Sequence, residues 1–231
     1  MNRRDLLRTG TITTTGLGLG VLGASPAQAA PRKPLRVHTV LYDGVEEQDF
    51  AGPVEVLGII ADRFQVEQSF VTAGEPRTIR TMSGMDVAVR TPWSPRSADV
   101  IIVPGGGLGP GSAVDEQIRR GALPRALAAA RRPGLIMASV CSGALLLSAA
   151  KITAGRPCTT HHAAKEDLAA QGGRVVEGRV VDDGGLITSG GVTSGLDLAL
   201  WLIERLYGPE PALLAEKVLE YERRGTVWRA A

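Results

Sequence analysis

The chain has 231 residues, with 26 basic and 24 acidic side chains, two cysteines and three histidines. That length suffices for one α/β domain with a proper core. The near-balance of charge leaves no basic stripe of the kind a nucleic-acid partner requires, and two cysteines are too few for a disulfide scaffold.

In chain order, Arg3-Arg4-Asp5-Leu6-Leu7 sets twin arginines ahead of two leucines. A Gly/Thr/Leu-rich stretch runs from Thr9 to Gly23, and Ala27-Gln28-Ala29 is an A-x-A cleavage pattern. Together they predict a twin-arginine signal peptide over 1–29, and so an extracellular or periplasmic mature protein. The stretch is short and only mildly apolar for a membrane span. No cysteine near the cleavage pattern could carry a lipid, so no stable membrane anchor is expected. Removing 1–29 takes away Arg3, Arg4, Arg8 and Asp5 and leaves the two charge signs balanced. Residues 30–34 read as a linker, 35–222 as the folded domain and 223–231 as a C-terminal tail.

Leu35 to Tyr42 reads as a first strand, with His38 as a packed or edge-exposed strand residue. A loop carrying Glu46, Glu47 and Asp49 follows at the strand's carboxyl end, where ligands bind in open α/β sheets. Pro53 suits a helix first turn, and Val54, Val56, Leu57, Ile59 and Ile60 predict a helix over about 53–62. Phe64 to Ala73 reads as a second strand. Arg77–Ile79 and Met85–Arg90 read as a hairpin through Ser83-Gly84. Asp99 to Val103 is a compact buried strand, followed by Pro104-Gly105-Gly106-Gly107, whose glycines let a backbone approach a reacting group and present N–H donors. A flexible turn is the plainer reading of those glycines, and neither GxGxxG nor a phosphate loop is present. One helix is predicted over about 112–131.

The next strand, Gly134 to Val140, runs straight into Cys141-Ser142-Gly143-Ala144 and a helix of strong helix formers. Small neighbours let a chain bend sharply at one cysteine, as in a nucleophile elbow. A helix N-terminus stabilises a negative sulfur, which predicts an eased thiolate. A buried structural cysteine is the competing reading. A Cys141–Cys158 bridge is an open alternative outside the cytosol, and it would silence Cys141. No cysteine or histidine spacing suits zinc, so no metal is expected. Arg156 to His161 reads as strand-like, 163–171 as a short helix, and Arg174–Glu177, Arg179–Asp182 and Leu186–Thr188 as short strands, the last two turning at Asp183-Gly184-Gly185. Helices are predicted over Leu196–Tyr207 and Pro209–Tyr221. The β-α alternation predicts a mostly parallel sheet covered on both faces.

Five segments, in order, resemble the DJ-1/PfpI superfamily of class I glutamine-amidotransferase-like folds. They are Asp49-x-x-Gly52-Pro53-x-Glu55-Val56, Val103-Pro104-Gly105-Gly106, Val140-Cys141-Ser142-Gly143-Ala144, Thr159-Thr160-His161 and Asp183 to Gly191. The resemblance covers about 35–220 and looks closest to the isonitrile hydratase branch. It implies a flavodoxin-like three-layer sandwich and cysteine-dependent hydration of an isonitrile to an N-substituted formamide. It further implies Cys141 as nucleophile, Asp49 as the acid beside it, and an oxyanion site from the N–H groups of Gly106 and Ser142. Gly105 and His161 would join the substrate-binding set. Ser142 stands where the hydratases usually carry Thr, and His162 where they carry Trp. Peptidase-like relatives have a His directly after the cysteine; Ser142 there argues against peptidase activity. No cofactor, a small-molecule substrate and a homodimer are the accompanying expectations. A glyoxalase-, deglycase- or chaperone-like activity, or a non-catalytic redox or ligand-sensing role, is the alternative.

Overall fold

Strand and helix alternate along the computed structural model, which describes residues 33–230. In order come β1 (Leu35–Val40), α1 (Glu47–Phe64), β2 (Val66–Val71), β3 (Thr78–Arg80), β4 (Asp86–Ala88), β5 (Val100–Val103), α2 (Ala113–Arg120), α3 (Ala122–Ala130), β6 (Ile136–Ser139) and α4 (Gly143–Ala149). Then follow β7 (Pro157–Cys158), α5 (Lys165–Ala170), β8 (Arg174–Val175), β9 (Val180–Asp182), β10 (Leu186–Ser189), α6 (Ser194–Tyr207), α7 (Pro209–Leu219) and β11 (Val227–Arg229). The export signal assigned to 1–29 lies outside the described residues.

The main sheet has the order β11-β9-β10-β6-β5-β1-β2. Every neighbouring pair in it is parallel except β9 with β10, which turn back on each other at Asp183–Gly185 as the sequence predicts. Side chains of a strand alternate between faces, and β5 divides accordingly. Ile101 and Val103 pack into one core with Leu127, Leu146 and Leu147, while Val100 and Ile102 pack into a second with Leu57, Ile60 and Leu202. Helices α2, α3, α4 and α5 thus cover one face, and α1, α6 and α7 the other. The result is a flavodoxin-like three-layer α/β fold. Strands β3 and β4 form the expected hairpin, and β7 and β8 pair separately in parallel.

Three expectations need correction. Helix α1 begins at Glu47 and not at Pro53, so Asp49 stands in its first turn, where acidic side chains oppose the positive helix end. Pro53 is accommodated within the helix, its ring packed where α6 approaches at Gly195. The helix predicted over 112–131 is two, because Gly121 adopts φ +70° and ends α2 before α3 begins. The segment 223–231, read as a tail, contributes β11, which pairs in parallel with β9. It is tied down through Asp197, which is buried on α6 and accepts hydrogen bonds from Arg179, Tyr221 Oη (3.0 Å) and the Arg224 N–H (3.0 Å).

Candidate active site

Three adjacent strands, β6, β5 and β1, deliver their carboxyl ends to one place. The chain leaves β1 toward β2 on one side and returns to β5 on the other, a topological switch point of the kind that binds ligands in α/β sheets. Cys141 follows β6, Pro104-Gly105-Gly106 follows β5, and Asp49 comes from the first turn of the helix after β1.

The turn at Cys141 is a strained elbow. Its φ is +56°, a conformation that costs a residue with a Cβ of order 1–3 kcal/mol and persists only where the surroundings fix it. They do so from three sides. The Cys141 N–H donates to the Gly190 carbonyl at 2.8 Å. Its carbonyl accepts from Thr160 Oγ1 at 2.7 Å. The next turn packs so closely on β5 that a Cβ at Gly143 would stand 2.1 Å from the Val103 carbonyl oxygen. Backbone at that distance cannot give way cheaply, so Gly143→Ala is expected to destabilise the protein by about 3 kcal/mol or more. Thermal unfolding checks this; a melting curve matching the parent would show that the elbow has slack.

Asp49 is fully buried. Its Oδ2 accepts the Gly105 N–H at 2.8 Å, whereas Oδ1 meets no donor at ordinary hydrogen-bond geometry. Burial pushes this carboxyl up to about 7, and the charge of Glu46 adds to the rise. The Gly105 N–H and the Cys141 thiol act the other way, easing its ionisation. The thiol is pushed up to about 11, first by burial and then by the Asp49 charge, while the N–H groups of Val192 and Ser142 partly offset both. The easing expected from the start of α4 is therefore outweighed. Cys141 and Asp49 form a coupled pair that holds one proton between about 7 and about 11 and two below that window. Both cysteines are free thiols, so no bridge ties Cys158 to Cys141.

The glycine turn is built for close approach: a Cβ on Gly105 would stand 2.5 Å from Ser142 Oγ and 2.8 Å from Asp49 Oδ2. The Gly106 N–H, expected as an oxyanion donor, is donated to Ser142 Oγ at 3.2 Å. It is thus already engaged inside the protein, and Ser142 contributes both a backbone N–H facing the sulfur and a hydroxyl holding the turn. His161 makes no hydrogen bond to Cys141, Asp49 or Ser142, but shares a cleft with Thr160, Gly190 and Val192. Its Nδ1 accepts the Ala163 N–H at 3.2 Å and its ring stacks on His162, with centroids 4.2 Å apart, in a cleft of about 340 Å³ beside Gly191 and Val192.

Three further residues belong to the site. Tyr42 is buried; its hydroxyl donates to the Pro104 carbonyl at 2.8 Å, and burial followed by the charges of Asp49 and Cys141 pushes its pKa well up. Val192 holds φ +43°, rare for a β-branched residue, and aims its N–H at the sulfur. Thr160 clamps the elbow carbonyl. Gly190-Gly191 before Val192 was the one sequence signal for a tight turn there. Thr160 stands in the Thr159-Thr160-His161 segment, though nothing in it points to a carbonyl clamp, and Tyr42 carried no signal beyond its place at a strand end.

The protein-family model that matches this chain describes the DJ-1/PfpI family and spans residues 35–205. An isonitrile hydratase from Pseudomonas putida is 35% identical over 189 residues, 81% of this chain and 78% of that protein. A Parkinson disease protein 7 homolog from Danio rerio is 30% identical over 180 residues, 77% of this chain and 92% of that one. Among solved structures, a ThiJ/PfpI family protein from Pseudomonas syringae superposes with a TM-score of 0.75 at 24% identity, over 90% of this chain and 83% of that one. DJ-1beta of Drosophila melanogaster gives a TM-score of 0.70 at 22% identity, over 83% of this chain and all of that one. At those identities the two structures speak for the fold alone. The family model and the sequence relatives, which cover most of the chain, go further: this chain belongs to the DJ-1/PfpI family.

Proposed function

We propose that the protein is a cysteine-dependent hydratase that converts an isonitrile and water to an N-substituted formamide. The observation that carries this reading is the pair itself, a thiol on a strained elbow facing a buried carboxyl that ionises near neutral pH. The 35% identity to an isonitrile hydratase supports it.

The chemistry needs one thiol and one carboxylate. With Asp49 ionised, its carboxylate takes the Cys141 proton as sulfur attacks the terminal carbon of the isonitrile. The same proton passes to that carbon, giving a thioimidate on Cys141. Water then adds to the carbon, nitrogen takes a proton, and the carbon–sulfur bond breaks. The formamide leaves and the thiol is restored. The Ser142 and Val192 N–H groups stabilise charge developing on sulfur. Purified mature protein should therefore turn an alkyl isonitrile into its formamide. Conversion of methylglyoxal to lactate with isonitriles left inert would instead favour a reactive-carbonyl activity of the kind considered for DJ-1 relatives.

The active form is proposed to be an exported homodimer. Substituting Arg3→Lys together with Arg4→Lys should leave the protein in the cytoplasm, read by cell fractionation. Unchanged export would remove the twin-arginine assignment. Sedimentation of the mature protein checks the dimer.

A further inference from the structure

At the opposite end of β6 from Cys141 lies a second cavity, of about 490 Å³, within the usual size of small-ligand sites. It opens where the chain enters β6 and β10, and three arginines line it: Arg131, Arg132 and Arg156. Its apolar wall comes from Leu135, Met137 and Ile152.

The charge there is not balanced. Arg156 is answered by Asp183, its Nε donating to Oδ2 at 2.6 Å and its Nη2 to the Asp183 carbonyl at 2.7 Å. Arg132 has no carboxylate partner at ion-pair distance among the described residues. Its Nη2 donates to the carbonyls of Ala98 and Arg96, and its Nη1 is buried without an acceptor. Asp99 lies within the field of Arg132 but is bound by both Nε and Nη2 of Arg36. The Arg131 side chain has no hydrogen-bond or ion-pair partner among the described residues. Neither guanidinium is matched by a carboxylate beside the apolar wall: Arg132 is half-buried with one unmatched nitrogen, and Arg131 is exposed. A buried charged donor without an acceptor is costly. Planar guanidinium groups match the oxygens of a carboxylate or phosphate in fork geometry.

We propose that this cavity is a binding site for a small organic anion, with a carboxylate or phosphate head held by Arg131 and Arg132 and a compact apolar body against Leu135, Met137 and Ile152. It is separate from the elbow by the length of β6, and it stands whether or not the protein hydrates isonitriles.

The test is titration of the mature protein with benzoate and, separately, phenyl phosphate, following the methyl resonance of Met137, which lies in the wall. A saturable shift with either anion, and none with the neutral analogue benzyl alcohol, is expected; which anion binds identifies the head group. Arg131→Ala, at an exposed position, should weaken binding about tenfold, the effect of losing one charge-assisted contact. Ala128→Phe, on the exposed side of α3 at the cavity rim, should block it while leaving the charges in place. No saturable shift with either anion would overturn the proposal. So would equal binding by the parent and both variants.

Discussion

Replacing Cys141 with alanine should lower isonitrile turnover by about 10³-fold or more, because the other hydroxyl-bearing residue of the elbow, Ser142, is a far weaker nucleophile than a thiolate and its oxygen is engaged by the Gly106 N–H. Substrate binding and fold should survive, so the variant isolates chemistry from architecture. The same position gives an independent reading of strain. With φ at +56°, a residue carrying a Cβ is held against its preference, and glycine is not. Cys141→Gly is therefore expected to be as inactive as Cys141→Ala yet more stable than it by about 1 kcal/mol. Comparing two inactive variants removes the contribution of the sulfur itself. Chemical denaturation of both checks the stability difference, and a formamide assay checks the activity. Retained turnover in Cys141→Ala would end the nucleophile assignment. An alanine variant as stable as the glycine one would mean that the backbone at the elbow relaxes when sulfur is gone.

Much of the fold was legible because strong local signals agreed with it. The run Val100 to Val103 is apolar at every position, as a central strand buried on both faces must be, and it lies in the middle of the sheet. The turn at Asp183–Gly185 announced the β9–β10 reversal by its residues alone. Errors came where one residue type has two uses. Pro53 is favoured at a helix start, so it drew the boundary six residues too late; here the acidic first turn and the packing on Gly195 tolerate it inside α1. Gly121 is one small residue in a helix-forming run, and nothing in composition says that it will adopt a positive φ. The last strand, Val227–Arg229, is three residues long and pairs along the edge that β9 offers.

The candidate site was legible to a different degree. Cys141 could be singled out because small residues flank it between an apolar strand and a helix. That Asp49 would meet it could not be derived from spacing, since 92 positions of sequence separate them and only the order β6-β5-β1 closes the gap. Charge-state arguments from the helix end alone gave the wrong direction for the thiol, because they left out burial and the carboxylate that the fold brings beside it. Backbone contributors were least visible. A carbonyl or N–H has no sequence signature, so the roles of Gly190 and Val192 around the sulfur emerge only from the fold.

Asp49→Asn should cost about 10²–10⁴-fold in turnover, the usual worth of a positioned proton-transfer group, and should change the shape of the pH profile. In the parent the carboxyl ionises at about 7 and the thiol keeps its proton to about 11, so the form with a carboxylate and a thiol is the one populated between. kcat/KM should rise through about 7, level off, and fall toward about 11 as the last proton of the pair is lost. In Asp49→Asn the rising limb near 7 should vanish. The thiol should ionise at lower pH than in the parent, because the second largest cause of its upward shift is gone; ultraviolet absorbance of the thiolate reads this directly. The substitution also has a sign in stability. The folded-state value of the Asp49 carboxyl is raised from the ordinary 3.8 to about 7, so between those values the folded chain holds a proton that the unfolded chain has lost. Stability from this group therefore declines as pH rises from about 4 to about 7, by an amount on the order of a few kcal/mol. Asparagine does not titrate, so the variant should gain on the parent across that window. Parallel stability curves would show that the buried carboxyl is not held neutral. An asparagine variant within a few-fold of parental turnover, with the rising limb intact, would take Asp49 out of the chemistry and leave it a structural role of holding the Gly105 turn in place.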